Sequence, residues 1–229
     1  MITPTVGIIG ESGTGKSSCF ETLPPERTII LNTENKELPM ANFSEFKNIM
    51  VSAYKKLDAT LDALKTKDYA EKYDYVILDS FTSLTEMIDK YCNTVFDGYE
   101  VWGQYNLLIA DIVKKIKVLP QQVFIVAIPE QKAESFGETK AYARVKGKEL
   151  KYGFLEKELA VVLFTQPIYA EEDDEKNDIE EGEMIDVFMA YKPNKKNSAK
   201  APRGLFQSKP TNDALAISES IKKYYNKGN

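Results

Sequence analysis

The residues of this 229-residue chain that are best suited to chemistry form a glycine-rich segment near its start, residues 10–18, which we call the phosphate loop. It contains the full pattern GxxxxGK[ST], between an apolar run at 6–9 and a predicted helix at 15–23. In such a loop the backbone N–H groups point at phosphate oxygens, Lys16 reaches the β- and γ-phosphates, and the Ser17 hydroxyl ligates Mg²⁺. We therefore expect an ATP site whose phosphates contact Gly10, Glu11, Ser12, Gly13, Thr14, Gly15, Lys16, Ser17 and Ser18.

A phosphate site of this kind also needs an acid that holds the water shell of the metal. Tyr75–Leu78 is a run of apolar residues, typical of a strand that is buried on both faces, and Asp79 follows it directly. An aspartate at this place can instead cap the next helix. Beside a phosphate loop the metal role is favoured, so Ser17 and Asp79 are the predicted Mg²⁺ ligands.

Other classes of phosphate-loop protein use motifs that this chain lacks or carries only weakly. A GTPase needs an NKxD base-reading motif and a DxxG after the Asp79 strand, and neither is present. A small-molecule or nucleotide kinase closes an arginine-rich lid, and the few arginines here weaken that alternative without removing it. A nucleotide-gated phage assembly protein without significant turnover is the other open alternative.

The composition excludes several further chemistries. The chain has no histidine, so it has neither a Ser-His-Asp nor a Cys-His nucleophile system, and no His-ligated zinc. Cys19 and Cys92 lack CxxC spacing, so we expect neither a disulfide framework nor a thiolate metal site. No apolar window is long enough to cross a membrane, and the first residues lack a signal-peptide pattern. We expect a soluble protein of the reducing cytoplasm.

Short apolar runs alternate with helical segments, the pattern of an α/β domain with a mainly parallel central sheet flanked by helices. The predicted strands are 6–9, 28–31, 49–53, 75–78 and 123–128. The predicted helices are 15–23, 57–71, 82–95, 104–118 and 212–225, the last capped by Thr211 or Asn212. Residues 131–148 are a loop or a mobile hairpin, and 159–169 with 184–191 form a C-terminal β-hairpin. We predict a single domain over residues 1–229.

Two strand ends resemble those of RecA-type ATPases: Asn32-Thr33-Glu34, and Leu78-Asp79-Ser80 with Leu84 four residues on. More closely, the chain is similar to small phage-encoded RecA-like ATPases of the single-strand annealing and recombination type, which are AAA-family ATP-binding P-loop proteins. Three looser features extend this resemblance almost end to end: Val101-Trp102-Gly103, the stretch Lys200 to Phe206, and Asn212-Asp213-Ala-Leu215. It implies a RecA-like fold, Mg²⁺-dependent ATP hydrolysis coupled to single-stranded DNA in phage recombination or replication, and self-association as a ring or filament in the host cytoplasm.

The resemblance also assigns catalytic roles. Glu34 would orient the hydrolytic water beside the catalytic Lys16, and its place at the carboxyl edge of a parallel sheet agrees with that role. The alternative is a solvated loop acid near Lys36. The chain departs from the family pattern at Asn32, where aspartate is usual, and after Ile128, where a polar sensor is usual. Gln131 is the candidate sensor, and slow hydrolysis is one consequence of these departures.

Nucleic-acid binding in RecA-like proteins is done by mobile loops, and lysines with an aromatic suit single strands without reading their sequence. The candidates for DNA contact lie in the loop after the 123–128 strand: Lys132, Lys140, Tyr142, Arg144, Lys146 and Lys148. Because Glu134, Glu138 and Glu149 are interspersed among them, a solvated loop is an equal alternative.

Charge is distributed unevenly along the chain, whose net charge is −5. Residues 171–183 contain nine acids and one lysine, so the rest of the chain has a net positive charge. This acidic tract is predicted to be a flexible hairpin tip. Residues 191–210 contain six basic residues and no acid, and Lys200 and Arg203 are candidates for a finger that completes a neighbouring subunit's ATP site. A basic surface loop is the alternative.

Overall fold

A computed structural model describes residues 4–134, 138–147, 153–172 and 179–226. Its strands are β1 (Val6–Ile9), β2 (Thr28–Asn32), β3 (Lys47–Met50), β4 (Tyr75–Asp79), β5 (Gln122–Ala127), β6 (Pro129–Ala133), β7 (Thr139–Ala143), β8 (Val161–Tyr169) and β9 (Met184–Ala190). Its α-helices are α1 (Tyr54–Leu64), α2 (Lys67–Lys72), α3 (Phe81–Val95), α4 (Glu100–Lys117), α5 (Phe154–Glu158) and α6 (Ala214–Asn226). Seven strands form one sheet in the order β3-β2-β4-β5-β1-β8-β9. All neighbours in it are parallel except β8 and β9, which confirms the predicted α/β fold and the C-terminal hairpin.

Both faces of the sheet are covered, because its inner strands are apolar on both sides. Alternate side chains of β1, β2, β4 and β5 enter two separate cores. Helices α1, α3 and α4 pack on one face, and α6 with a short 3₁₀-helix at Ser18–Thr22 packs on the other. Because β1, β2, β4 and β5 run parallel, their carboxyl ends lie at one edge of the sheet, where the loops after β1, β2 and β4 meet.

Several predicted element boundaries were wrong. The strand expected at 49–53 is Lys47–Met50, and the helix expected at 104–118 begins at Glu100. The helix predicted at 15–23 is a five-residue 3₁₀-helix at Ser18–Thr22, because Pro24 and Pro25 leave too little chain to propagate an α-helix. The helix predicted at 57–71 is divided between α1 and α2. The predicted cap of the last helix is displaced by one residue, since Asp213 Oδ1 accepts the backbone N–H of Ala216 at 2.9 Å.

The segment predicted as a loop or mobile hairpin contains the antiparallel pair β6–β7. This hairpin is joined to the rest of the domain, because the N–H of Ala141 donates to the carbonyl of Lys196 at 2.8 Å. The N–H of Ala143 donates to the buried carboxylate of Glu156 at 2.7 Å. Among the described residues, no helix is long and apolar enough to cross a membrane.

Candidate functional site

The phosphate loop follows β1 and packs against β8. The hydroxyls of Thr14 and Thr165 are hydrogen-bonded at 2.7 Å. A Cβ atom on Gly10 would lie 1.8 Å from the same Thr165 oxygen, so only glycine fits there. Gly15 has a φ of +81°, and a Cβ on it would lie 2.8 Å from Asn212 Nδ2. Tertiary contacts therefore impose the glycine spacing of the motif.

The exposed donors of this loop suit a chain of phosphates. Within the described part of the molecule, no protein acceptor is bonded to the backbone N–H groups of Gly13, Gly15, Lys16 and Ser17. The Lys16 ammonium donates to the carbonyl oxygen of Glu11 in its own loop. Burial lowers the pKa of Lys16, although the neighbouring carboxylates partly oppose this effect. A partly buried cation beside open amides is an anion site.

Ser17 and Asp79, the predicted metal ligands, are in contact. The Ser17 hydroxyl donates to Asp79 Oδ2 at 2.8 Å. Burial raises the pKa of Asp79 to about 6, and the hydrogen bond from Ser17 opposes this rise. In the described residues no group of three or more acidic, Cys or His side chains could hold a metal by itself. A hydroxyl and one carboxylate instead fit Mg²⁺, which takes few protein ligands and completes its shell with phosphate and water.

Glu34 lies in the same cleft as the phosphate loop, where its carboxylate has two partners. Oε1 accepts the Ser80 hydroxyl at 2.9 Å, and Oε2 forms an ion pair with Lys36. Burial alone would raise the pKa of Glu34, but the hydrogen bonds from Lys36 and Ser80 outweigh burial and hold the pKa below its usual value. The carboxylate is therefore ionised and oriented. The cleft has a volume of about 220 Å³ and is lined by Lys16, Ser17, Glu34, Lys36, Asp79 and Ser80, among others.

The departure at Asn32 has a structural role. Its Nδ2 donates to the carbonyl of Lys36 at 2.6 Å, and its Oδ1 accepts the N–H of Asn35 at 2.9 Å. Asn35 has a left-handed φ of +54°, which asparagine tolerates better than most residues. An aspartate has no donor for the Lys36 carbonyl. The amide thus folds the loop that carries Glu34 and Lys36.

The end of β2 is also bonded to the end of β4. The Thr33 hydroxyl donates to the carbonyl of Ser80 at 2.7 Å and accepts the N–H of Ser80 at 2.8 Å. The Asp79–Ser80 peptide bond is cis. These contacts fix the relative positions of Glu34 and Asp79.

Asn212 is a site residue whose role the sequence did not indicate. Its Nδ2 donates to the carbonyl of Gly15 at 2.9 Å, from the segment just before α6. Nearby, the N–H of Leu215 donates to Thr22 Oγ1 at 3.2 Å. The only signal in the sequence was the Asn-Asp pair at the start of a predicted helix, which indicates a cap and no partner 197 residues away.

The predicted sensor residue and the predicted finger residues lie outside the cleft. Gln131 is exposed on β6, on the opposite side of the hairpin from Lys132 and Tyr142, and does not line the cleft. Lys200 pairs through its backbone with Val162 of β8. Arg203 is exposed, and neither basic side chain lines the cleft of its own chain. The finger role of Lys200 and Arg203 stays a prediction, and so does the sensor role of Gln131.

The predicted DNA contacts separate into two groups. Lys132 and Lys140 face each other across β6 and β7, each 5.8 Å from the centre of the Tyr142 ring. Arg144 and Lys146 instead lie beside α3, where Arg144 is 3.8 Å from Glu86 and Lys146 is 2.8 Å from Asp89. Lys148 lies outside the described residues, as does much of the predicted acidic tip.

Arg144 and Lys146 border a cavity of about 740 Å³, which we call the aromatic groove. It lies between α3, the start of α4 and residues 144–147, and Tyr99 and Trp102 line it. Tyr99 is 98% exposed and Trp102 is 49% exposed. The buried stripe of α4 includes Val101, Tyr105 and Ile109, and Trp102 falls beside it. Helical periodicity could therefore have marked Trp102 as a surface aromatic.

The parallel sheet, the phosphate loop after its first strand, and the Ser17–Asp79 contact define a nucleotide-binding P-loop NTPase. The family model described as "AAA domain" matches residues 3–202, which is most of the chain. The chain therefore belongs to the AAA domain family, which indicates nucleotide binding and ATPase activity in general. No curated protein matches it. Asn212 and α6 lie beyond the matched residues.

Proposed function

We propose that the chain is a Mg²⁺-dependent ATPase whose turnover is coupled to single-stranded DNA. The observation that carries the ATPase assignment is the 2.8 Å contact between Ser17 and Asp79, in a cleft that also contains Lys16 and Glu34. These side chains supply, within one chain, the phosphate binding, metal binding and water positioning that phosphoryl transfer to water uses.

Each side chain has a distinct task in this proposal. The amides of the phosphate loop and Lys16 hold the phosphates, and Ser17 with Asp79 holds the metal. When bound there, Mg²⁺ would supply positive charge that offsets the charge developing on the phosphate oxygens. Glu34, ionised and held by Ser80, orients the water whose oxygen bonds to the γ-phosphorus as the bond to the β–γ bridging oxygen breaks.

ATP turnover with and without Mg²⁺, in wild type and Lys16→Ala, tests the ATPase assignment. We expect wild type to release phosphate only with Mg²⁺, and Lys16→Ala to lose at least about a hundredfold in rate. Transfer of the γ-phosphate to an added acceptor, with none to water, would instead identify a kinase. Tight binding without turnover would favour the nucleotide-gated assembly protein.

The aromatic groove supports the DNA part of the proposal. Exposed Tyr99 and Trp102 offer stacking surfaces for unpaired bases. On the neighbouring hairpin, Lys140 supplies positive charge, as does Lys132, although Lys132 lies 3.8 Å from Glu134. Arg144 is paired with an acid of α3, so it is less available to DNA phosphates than the sequence suggested. We therefore assign more of the affinity for single-stranded DNA to stacking on aromatic side chains.

A short series of hydrogen bonds joins this groove to the ATP cleft. Ile128 lines the cleft, and its N–H donates to Thr82 Oγ1 at 3.3 Å. Thr82 lines the groove, and its hydroxyl also lies 3.4 Å from the carbonyl of Arg144. Ser80, which bonds Glu34, accepts the N–H of Ser83 as the cap of α3. Strand binding in the groove would therefore act on the helix that positions Glu34.

Adding an unstructured oligonucleotide to the turnover assay tests the coupling. We expect single strands to raise the rate, and duplex DNA of the same length to raise it less. A rate that no single strand alters would remove the support for a recombination or replication role in a phage.

Self-association belongs to the same proposal, because Lys200 and Arg203 lie away from the cleft of their own chain. If Arg203 acts in a neighbouring subunit, the specific activity should rise with protein concentration, and Arg203→Ala should remove that rise. An Arg203→Ala protein with wild-type turnover at every concentration would contradict the finger role.

A further inference from the structure

The ATP cleft is lined by a second lysine, Lys36, which is not part of the phosphate-loop motif. Lys36 shares the cleft with Lys16 and is ion-paired with Glu34. The Lys36 side chain is 62% exposed, against 21% for Glu34. The cation therefore reaches into the open part of the cleft, while the carboxylate is held in its wall.

The backbone that carries Lys36 is fixed, although its side chain is not enclosed. Asn32 Nδ2 binds the Lys36 carbonyl, and the Asn32 side-chain oxygen holds the following turn at Asn35. The ammonium thus has a defined base from which to reach either Glu34 or a group bound in the cleft. Glu34 would keep its hydrogen bond from Ser80 if the lysine moved.

We infer that Lys36 binds the terminal phosphate of a nucleoside triphosphate, and that its transfer from Glu34 to that phosphate frees the carboxylate to hold water. The inference rests on the proposed ATP site and adds to it a residue that distinguishes triphosphate from diphosphate. A terminal phosphate offers more negative charge and more acceptor oxygens than one carboxylate, so it competes for a lysine that is largely in solvent. A diphosphate lacks that group and leaves the Lys36–Glu34 pair intact.

Nucleotide affinities measured by calorimetry test the inference without depending on turnover. The ligands are Mg²⁺ with ADP and Mg²⁺ with a non-hydrolysable ATP analogue. We expect Lys36→Ala to lower the affinity for the ATP analogue by about tenfold and the affinity for ADP by less than about twofold. Lys36→Arg, which keeps the charge, should restore most of the analogue's affinity, and its turnover should exceed that of Lys36→Ala.

Lys65→Ala is the matched control, because Lys65 is also an exposed lysine paired with an acid, at 3.3 Å from Asp62, and does not line the cleft. It should bind both nucleotides like wild type. Equal losses for both ligands in Lys36→Ala, or no loss, would overturn the inference and leave the ATPase proposal standing. If wild type bound neither nucleotide, both would fall.

Discussion

The ATP cleft and the aromatic groove are neighbours that differ in how their charges are arranged. In the cleft, Asp79 at the end of β4 faces a common space with Glu34 and Lys16, which lie in the loops after β2 and β1. In the groove, Arg144 and Lys146 each lie against an acid of α3, and two exposed aromatic side chains, Tyr99 and Trp102, line the opening. The cleft is therefore built for a highly charged ligand that enters between its side chains.

The two regions also differ in what holds them. The cleft is fixed by hydrogen bonds between strand ends, such as those of Thr33 with Ser80. The contacts across the groove lining are longer, with the Thr82 hydroxyl 3.4 Å from the carbonyl of Arg144 and the Arg144 guanidinium 3.8 Å from Glu86, and Tyr99 is nearly fully exposed. We therefore expect single substitutions in the cleft to have large effects on chemistry, and those in the groove to have moderate effects on affinity.

The largest expected effect is that of Glu34→Gln on turnover. An amide keeps the shape of the side chain but cannot accept a proton or polarise water as a carboxylate does, so kcat should fall about a hundredfold or more. ATP affinity should be retained or rise, because the phosphate loop and Lys16 are unchanged and Lys36 no longer pairs with a carboxylate. Glu37→Gln, an exposed acid of the same loop that does not line the cleft, is the control. Wild-type turnover in Glu34→Gln would move the catalytic role elsewhere.

The next expected effect concerns the free energy of unfolding, which the buried carboxylate of Asp79 lowers. Burial raises the pKa of Asp79 from its usual value of 3.8 to about 6, so the ionised carboxylate destabilises the metal-free protein increasingly between these two pH values, and fully above pH 6. Asp79→Asn should therefore raise the free energy of unfolding by about 1–3 kcal/mol at pH 7.5, and the gain should disappear as the pH falls toward 4.

Denaturant unfolding in a metal chelator at several pH values measures this gain. Asp74→Asn is the control with the opposite sign, because the Arg27 guanidinium holds the pKa of Asp74 below its usual value. That variant should lose stability at pH 7.5. A destabilised Asp79→Asn protein at pH 7.5 would show that the hydrogen bond from Ser17 outweighs the cost of burial.

These differences also explain what the sequence could predict. The phosphate loop and Asp79 were predictable because each is a local pattern that directly follows an apolar strand, and parallel strands bring such ends together. The ion pair of Lys36 with Glu34 was not, since the sequence shows only their proximity and not the turn made by Asn32.

The aromatic groove was harder still to predict. Its residues come from α3, α4 and the hairpin, and only the fold shows that acids of α3 lie beside Arg144 and Lys146. The predicted helix lengths were also wrong where a helix-breaking residue shortened the helix, as before Pro24. The sequence thus predicted the elements of the sheet well and the side-chain pairing between distant segments poorly.

For the groove, Trp102→Ala should weaken binding of a labelled single-stranded oligonucleotide by about tenfold, because one stacked base contributes about 1–3 kcal/mol. Tyr69→Ala, at a half-exposed aromatic of α2 outside the groove, is the control. Fluorescence anisotropy at fixed salt measures both variants. ATP affinity without DNA should be unchanged in Trp102→Ala. An unchanged strand affinity would assign the groove another ligand and leave Lys132 and Lys140 as the remaining DNA candidates.

The smallest expected effect concerns Asn212, which lies beyond the matched family domain and yet bonds the phosphate loop. One neutral hydrogen bond contributes about 0.5–1.5 kcal/mol, so Asn212→Ala should weaken ATP binding by a few fold through a less ordered Gly15 carbonyl. Asp213→Ala removes the cap of α6 without touching Gly15, and so should lower stability with little change in ATP affinity. If both variants lost affinity in proportion to their stability, Asn212 would act only by anchoring α6. A loss of affinity confined to Asn212→Ala would extend the cleft's network of hydrogen bonds to the C-terminal segment.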